Sequence, residues 1–282
     1  MRGLISYFVL GLVMLIPGSL RATVLAERDQ SGRGAIIEAA IDGGRLIQAS
    51  EMLHQMRKHS LDSERAELKI LEAELAIAKK DDRHAIKLFA RYLQSPEYLC
   101  RAKEGSGIAI ARSGDWDIAI GLLADVTIKC PDRWKAWNMM GIALAHFGKY
   151  QASRYAFDKA LSLSDTSPVV LNNLGYSLLA RQNYVEAVGI FEMAVIQQPE
   201  NKRFQNNLDI ARAAMGEAPR RATKESQSRW VERLTNSGYA ALLAGHKQAG
   251  TALLSNAVIG SSSMASKAAA NLSWTATHGT KP

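Results

Sequence analysis

The sequence predicts an all-α chain, a right-handed superhelix of antiparallel helix pairs. Two observations carry this expectation. The chain resembles itself at an offset of 34 residues, and small and bulky apolar residues recur at fixed places within that period. Composition agrees: of 282 residues, 47% are hydrophobic and 22% charged, with 7 prolines, which excludes collagen-like and disordered classes and leaves enough apolar side chains for a core.

The period is clearest in residues 134–167 and 168–201. Gly141 pairs with Gly175, Tyr150 with Tyr184, Phe157 with Phe191 and Ala160 with Ala194. One period earlier stand Gly107, Trp116, Leu123 and Val126, and before those Ala73, Ala85, Phe89 and Tyr92. Counting residue 134 as place 1, small residues fall at places 8 and 20 and bulky apolar ones at 17 and 24, which is the tetratricopeptide repeat (TPR) pattern. The pattern has a cause: a small residue at place 8 lets the first helix of a pair approach the second closely, and the side chain at place 24 fills the space between successive pairs.

Taken in chain order, Leu4 to Ile16 is a largely apolar run behind Arg2, closed by Pro17-Gly18. It is short of the roughly 20 residues needed to cross a bilayer but suits a signal peptide, with cleavage expected after Ala26; cleavage after Ala22 and an uncleaved anchor are the alternatives. Residues 27–216 then form the TPR array. A weak copy at 34–60 places Ala39, Ala49, Leu53 and Met56 in order, and residues 202–216 repeat only a first helix, expected to cap the stack. The polar stretch 217–228 reads as a linker. Residues 229–276 read as a further helix pair, with Gly238, Gly245 and Leu254 in place, and a closing helix around Ala268–Leu272.

No catalytic constellation is present: there is no HExxH, GxSxG or phosphate-binding glycine loop, and the six histidines are scattered, so an enzyme, a metal and a cofactor are not expected. The formal charge of +8 falls to +6 without Arg2 and Arg21, too mild to imply a nucleic-acid partner. The polar residues that stand out lie on first helices. Asn138, Asn172 and Asn206 share place 5, and Asn173 and Asn207 share place 6, on the side expected to line the concave groove. An asparagine offers both donor and acceptor, so such a ladder can clamp the backbone of an extended peptide. The alternative is that the asparagines only satisfy neighbouring helices. On the groove reading, replacing Asn138, Asn172 and Asn206 by alanine weakens partner binding and leaves thermal stability nearly unchanged. Arg101, Arg112, Lys135, Arg181 and Arg203 fall at or beside groove places and would favour an acidic segment or a free carboxylate. Trp116, Tyr150 and Tyr184, at place 17, are expected between the two helices of a pair.

The two cysteines, Cys100 and Cys130, occupy the start and the end of one helix pair, which antiparallel packing brings together. With export to an oxidising compartment, a disulfide between them is expected rather than two thiols.

The order of the C-terminal half resembles one family in particular. The run NNLGYSLL, then YVEAV, a polar linker, RWVERL, GYAALLAG and KAAANL resembles the TadD-like proteins of the Flp/Tad (tight adherence) pilus assembly system, over roughly Cys100 to Trp274. The resemblance implies a non-enzymatic scaffold that binds pilus or secretion-system proteins in the periplasm. Many members carry a lipidation cysteine that is absent here, which speaks against outer-membrane anchoring by lipid but not against export to the periplasm, with or without peripheral membrane association. A periplasmic chaperone-like adaptor for extended peptides and an interaction subunit of a cell-envelope enzyme complex are the alternatives; the periodicity by itself implies only a binding scaffold.

Overall fold

The computed structural model describes residues 32–59 and 64–260, and all their regular structure is helical. The expected signal peptide (1–26), the closing helix expected after residue 260, and Trp274 lie outside the described residues. In chain order the helices are α1 (32–42), α2 (Leu46–His59), α3 (Arg65–Ala78), α4 (Asp82–Phe89, running into a 3₁₀ turn Ala90–Tyr92), α5 (Leu99–Ser113), α6 (Trp116–Lys129), α7 (Trp134–His146), α8 (Tyr150–Leu163), α9 (Pro168–Ala180), α10 (Tyr184–Gln197), α11 (Lys202–Ala213), α12 (Gln227–Leu243) and α13 (Lys247–Gly260). They form two compact units, Met1–Gly105 and Ser106–Pro282, divided within α5.

In the first unit, Ile37, Ala49 and Leu71 and then Ile70, Ala73, Ala85 and Phe89 make a sealed core. Asp81 starts α4 by accepting a hydrogen bond from the His84 backbone N–H at 3.2 Å. That helix has 8 residues where its counterparts have 14. The place held by Ala160 and Ala194 in the later repeats is Tyr92 here, too large for their close contact; its ring turns edge-on to Tyr98, with centroids 5.7 Å apart.

In the second unit the repeat frame becomes a set of contacts. A Cβ added at Gly141 would lie 2.8 Å from the Phe157 ring, at Gly175 2.7 Å from Phe191, at Gly107 2.9 Å from Leu123 and at Gly238 2.8 Å from Leu254. Each approach is closer than real Cβ atoms make, so place 8 admits no side chain while the partner ring or branched chain stays where it is. At place 20, Ala119, Ser153 and Ala187 are fully buried, and the Ser153 hydroxyl donates to the Gly141 carbonyl at 2.7 Å. A further regularity, not expected from the side chains, lies in the backbone. The first helices end at place 15 with a left-handed residue: Gly114, Gly148, Gly216 and Gly245, but Lys80 (φ 64°) and Gln182 (φ 62°) in two copies.

The C-terminal pair differs most from expectation. Instead of capping the stack, α11 is followed by α12 in the same unit, and the stretch between them is held down. α11 is a first helix without a second one, so place 8 needs no glycine and carries Asp209 instead. The Arg233 guanidinium of α12 meets Asp209 at 2.6 Å and Glu225 of the connecting stretch at 2.8 Å, and donates to the Arg220 carbonyl at 3.2 Å. The Glu225 side chain keeps 2% of its surface exposed, so the expected linker is a strap fastened where a second helix would lie. Burial pushes the Asp209 carboxyl above its ordinary range against the pull of Arg233. The cost of taking these charges out of water offsets much of their attraction.

Two substitutions of identical chemistry should have opposite signs. Gly175→Ala forces a methyl into the Phe191 ring and should cost about 1–3 kcal/mol in urea unfolding. Gly189→Ala, on the exposed face of α10 with nothing within 4 Å, should stabilise by about 0.5–1 kcal/mol. Equal effects at the two positions would contradict the repeat frame.

Candidate partner-binding groove

The asparagines of the first helices meet one another. Asn173 of α9 donates through Nδ2 to Asn138 Oδ1 of α7 at 3.1 Å, and Asn207 of α11 donates to Asn172 Oδ1 of α9 at 2.8 Å. Asn236 of α12 donates to Asn206 Oδ1 of α11 at 2.9 Å. Place 6 of α9, α11 and α12 thus reaches back to place 5 of the first helix before it, and Asn236 holds place 6 once Gly238 is set at place 8. The rule survives the loss of a second helix after α11.

Each rung uses one end of each amide. Asn138, Asn172 and Asn207 are buried, yet the amide nitrogen of Asn172 and the carbonyl oxygens of Asn173 and Asn207 make no hydrogen bond and are not among the sealed, unpartnered polar atoms of the described residues, which are Ser106 Oγ, Glu225 Oε1 and Ser237 Oγ. The three residues all line an open cleft of about 460 Å³. Its apolar walls are Ile142, Phe157, Tyr176 and Trp116. The Trp116 ring stacks on His146, with centroids 4.6 Å apart and planes 22° from parallel. A second cleft, of about 410 Å³ between α11 and α12, is lined by Lys202, Arg203, Asn206, Arg229 and Glu232 among others; Arg203 belongs to both.

Of the expected groove residues, Asn172, Asn173, Asn207 and Arg203 line the first cleft, and Asn206 and Arg203 the second. Asn138 serves its rung without lining either. Lys135 lies over the Trp134 ring, 5.7 Å from its centroid, and lines neither cleft. Arg101 departs from expectation most clearly. It lies in the first unit, where its guanidinium bonds Glu74 at 2.7 Å and Glu67 at 2.8 Å on α3. Burial works against its charge, but the two carboxylates raise its pKa above the ordinary arginine value, so its charge is spent inside the fold. Conversely, Trp116, expected only as packing between helices, lines the cleft. Tyr176, 57% exposed, and His146 do not stand out in the sequence, although places 9 and 13 are groove places and would have found them.

Neither cysteine is a free thiol: Cys100 and Cys130 are both disulfide-bonded. Among the described residues, no three His, Cys, Asp or Glu side chains gather as metal ligands do, and no helix is long and apolar enough to cross a membrane.

Residues 107–168 match the family model described as tetratricopeptide repeat. Solved structures share the fold at low identity. The quorum sensor NprR from B. thuringiensis, in its apo form, aligns with 91% of this chain and 84% of its own at a TM-score of 0.62 and 14% identity. The APC/C hetero-tetramer Cut9-Hcn1 aligns at 0.57 and 14% identity, with 82% of this chain covered. TTC0263, a thermophilic TPR protein of Thermus thermophilus, aligns at 0.52 and 15% identity, covering 64% of this chain and 98% of its own. This chain spans about half, 48%, of the Cut9-Hcn1 chain it matches. No curated protein matches it in sequence.

The rungs change what alanine should do in the ladder. The triple variant Asn138→Ala, Asn172→Ala, Asn206→Ala removes all three acceptors, and each lost bond is worth about 0.5–1.5 kcal/mol. We expect a clear fall in melting temperature by circular dichroism, not the unchanged stability that a purely groove-facing ladder implies. A melting temperature indistinguishable from that of the parent would contradict the rungs.

Proposed function

We propose that this tetratricopeptide-fold chain is an exported scaffold that holds protein partners in the groove along its first helices and acts in assembling a Flp/Tad pilus or a related secretion machinery. The observation that carries the binding part is the half-used ladder. Asn172, Asn173 and Asn207 each commit one end of an amide to a neighbouring helix, leave the other without a hydrogen bond, and line a cleft with aromatic walls. Free donors and acceptors at helical spacing suit the main chain of an extended segment, and Tyr176 and Trp116 suit one of its side chains.

The bonded state of Cys100 and Cys130 favours an oxidising compartment and so supports export, with the periplasm as the site of action. The pilus role rests on the resemblance of the C-terminal half to TadD-like proteins. A groove lined by amides and aromatic rings on a tetratricopeptide fold suits the binding and positioning role of a scaffold.

Deleting the gene in its native host should abolish surface pili and leave the individual pilus proteins in the cell envelope unassembled. Complementation by the parent chain should restore pili. Normal piliation after deletion would overturn the pilus reading while leaving the groove as a binding site for other partners.

A further inference from the structure

The two clefts are joined at one residue and differ sharply in character. The first is walled by Ile142, Phe157, Tyr176 and the stacked Trp116; the second presents Lys202, Arg203 and Arg229 against a single lining carboxylate, Glu232. Lys202 and Arg203 are exposed and make no ion pair. Arg229 is held at 3.5 Å from Glu225 and donates to Gln205 at 2.5 Å, which fixes its position. The charge of Arg233, by contrast, is used up by Asp209 and Glu225. The two cations left over, Lys202 and Arg203, therefore sit at one end of the groove beside the apolar cleft, with Arg229 fixed next to them by Glu225 and Gln205.

We propose that the segment bound in this groove is an acidic one with an apolar anchor: an apolar or aromatic residue enters the cleft beside Tyr176 and Trp116, and acidic side chains next to it lie over Lys202, Arg203 and Arg229. This rests on the groove reading and adds the chemistry of the occupant to it. Charge complementarity selects the occupant. A neutral apolar segment would leave the cations unmatched, and an acidic segment without an anchor would leave the aromatic walls in water. Since the cations are exposed, each pairing contributes modestly and fades in salt.

The test uses the mature chain and three fluorescein-labelled peptides read by fluorescence anisotropy. Each carries a leucine-phenylalanine pair: one followed by three glutamates, one by three glutamines, both amidated at the C-terminus, and one glutamine peptide with a free C-terminal carboxylate. The glutamate peptide should bind about five- to tenfold more tightly than its amidated glutamine analogue, a preference set by two or three exposed pairings. Lys202→Ala with Arg203→Ala should erase that preference, Tyr176→Ala should weaken both peptides, and Lys159→Ala, exposed on the second helix α8 and outside both clefts, should change nothing. Equal binding of the glutamate and glutamine peptides overturns the inference. If Tyr176→Ala still weakens both, the groove reading stands without it; if Tyr176→Ala has no effect, or no peptide binds, both fall. Tightest binding by the carboxylate-ended glutamine peptide would also overturn it, by making a chain terminus the ligand.

Discussion

The close approach of two helices at place 8 is the constraint on which the rest depends. Gly141 against Phe157 and Gly175 against Phe191 bring the first and second helices of a pair nearer than any residue with a Cβ permits. That contact sets the spacing between successive first helices, and the spacing decides whether an amide at place 6 can reach one at place 5 of the helix before it. The observed reach is 2.8–3.1 Å, a normal hydrogen bond. A wider gap at the glycine would leave the asparagines as separate polar groups, buried at a cost and holding nothing.

On the proposed groove reading, the asparagines combine two roles that would otherwise compete. A residue kept only for a partner would be free to move and would lose entropy on binding. A residue kept only for the fold would offer the partner nothing. By fastening one end of each amide to the next helix, the chain fixes the direction of the other end before a ligand arrives. Where α11 lacks its second helix, Asp209, Arg233 and Glu225 substitute an ion cluster for the glycine contact, and the Asn206–Asn236 rung is kept. The groove therefore continues past the interruption and gains its cationic end there.

The repeat places of Gly107, Gly141, Gly175 and Phe191 are legible in the sequence because a 34-residue period repeats side-chain size, and size is what packing selects. The phase of the asparagines is legible for the same reason. Their pairing is not, since place 5 and place 6 on adjacent helices become neighbours only through the packing angle. Arg101 cannot be read correctly from its place: that place belongs to the groove, but Glu67 and Glu74 capture it from α3. The strap reads as a linker because Glu217–Ser228 is largely polar, and composition does not distinguish a loose linker from one pinned by Arg233 and Glu225. The left-handed ends at Lys80 and Gln182 are unreadable for a related reason, since neither residue type signals that backbone.

The claim that each rung asparagine serves the fold with one end and the groove with the other is tested most directly by its side-chain amide signals in ¹⁵N NMR of the mature chain. In the free protein, the Nδ2 hydrogens of Asn173, Asn207 and Asn236 should be shifted downfield by their bonds and exchange slowly, while those of Asn172 exchange with water. Saturation with the glutamate peptide should shift the Asn172 amide and leave the three rung donors in place. Fast exchange at all four amides, or rung signals that move while Asn172 stays unchanged, would contradict the account.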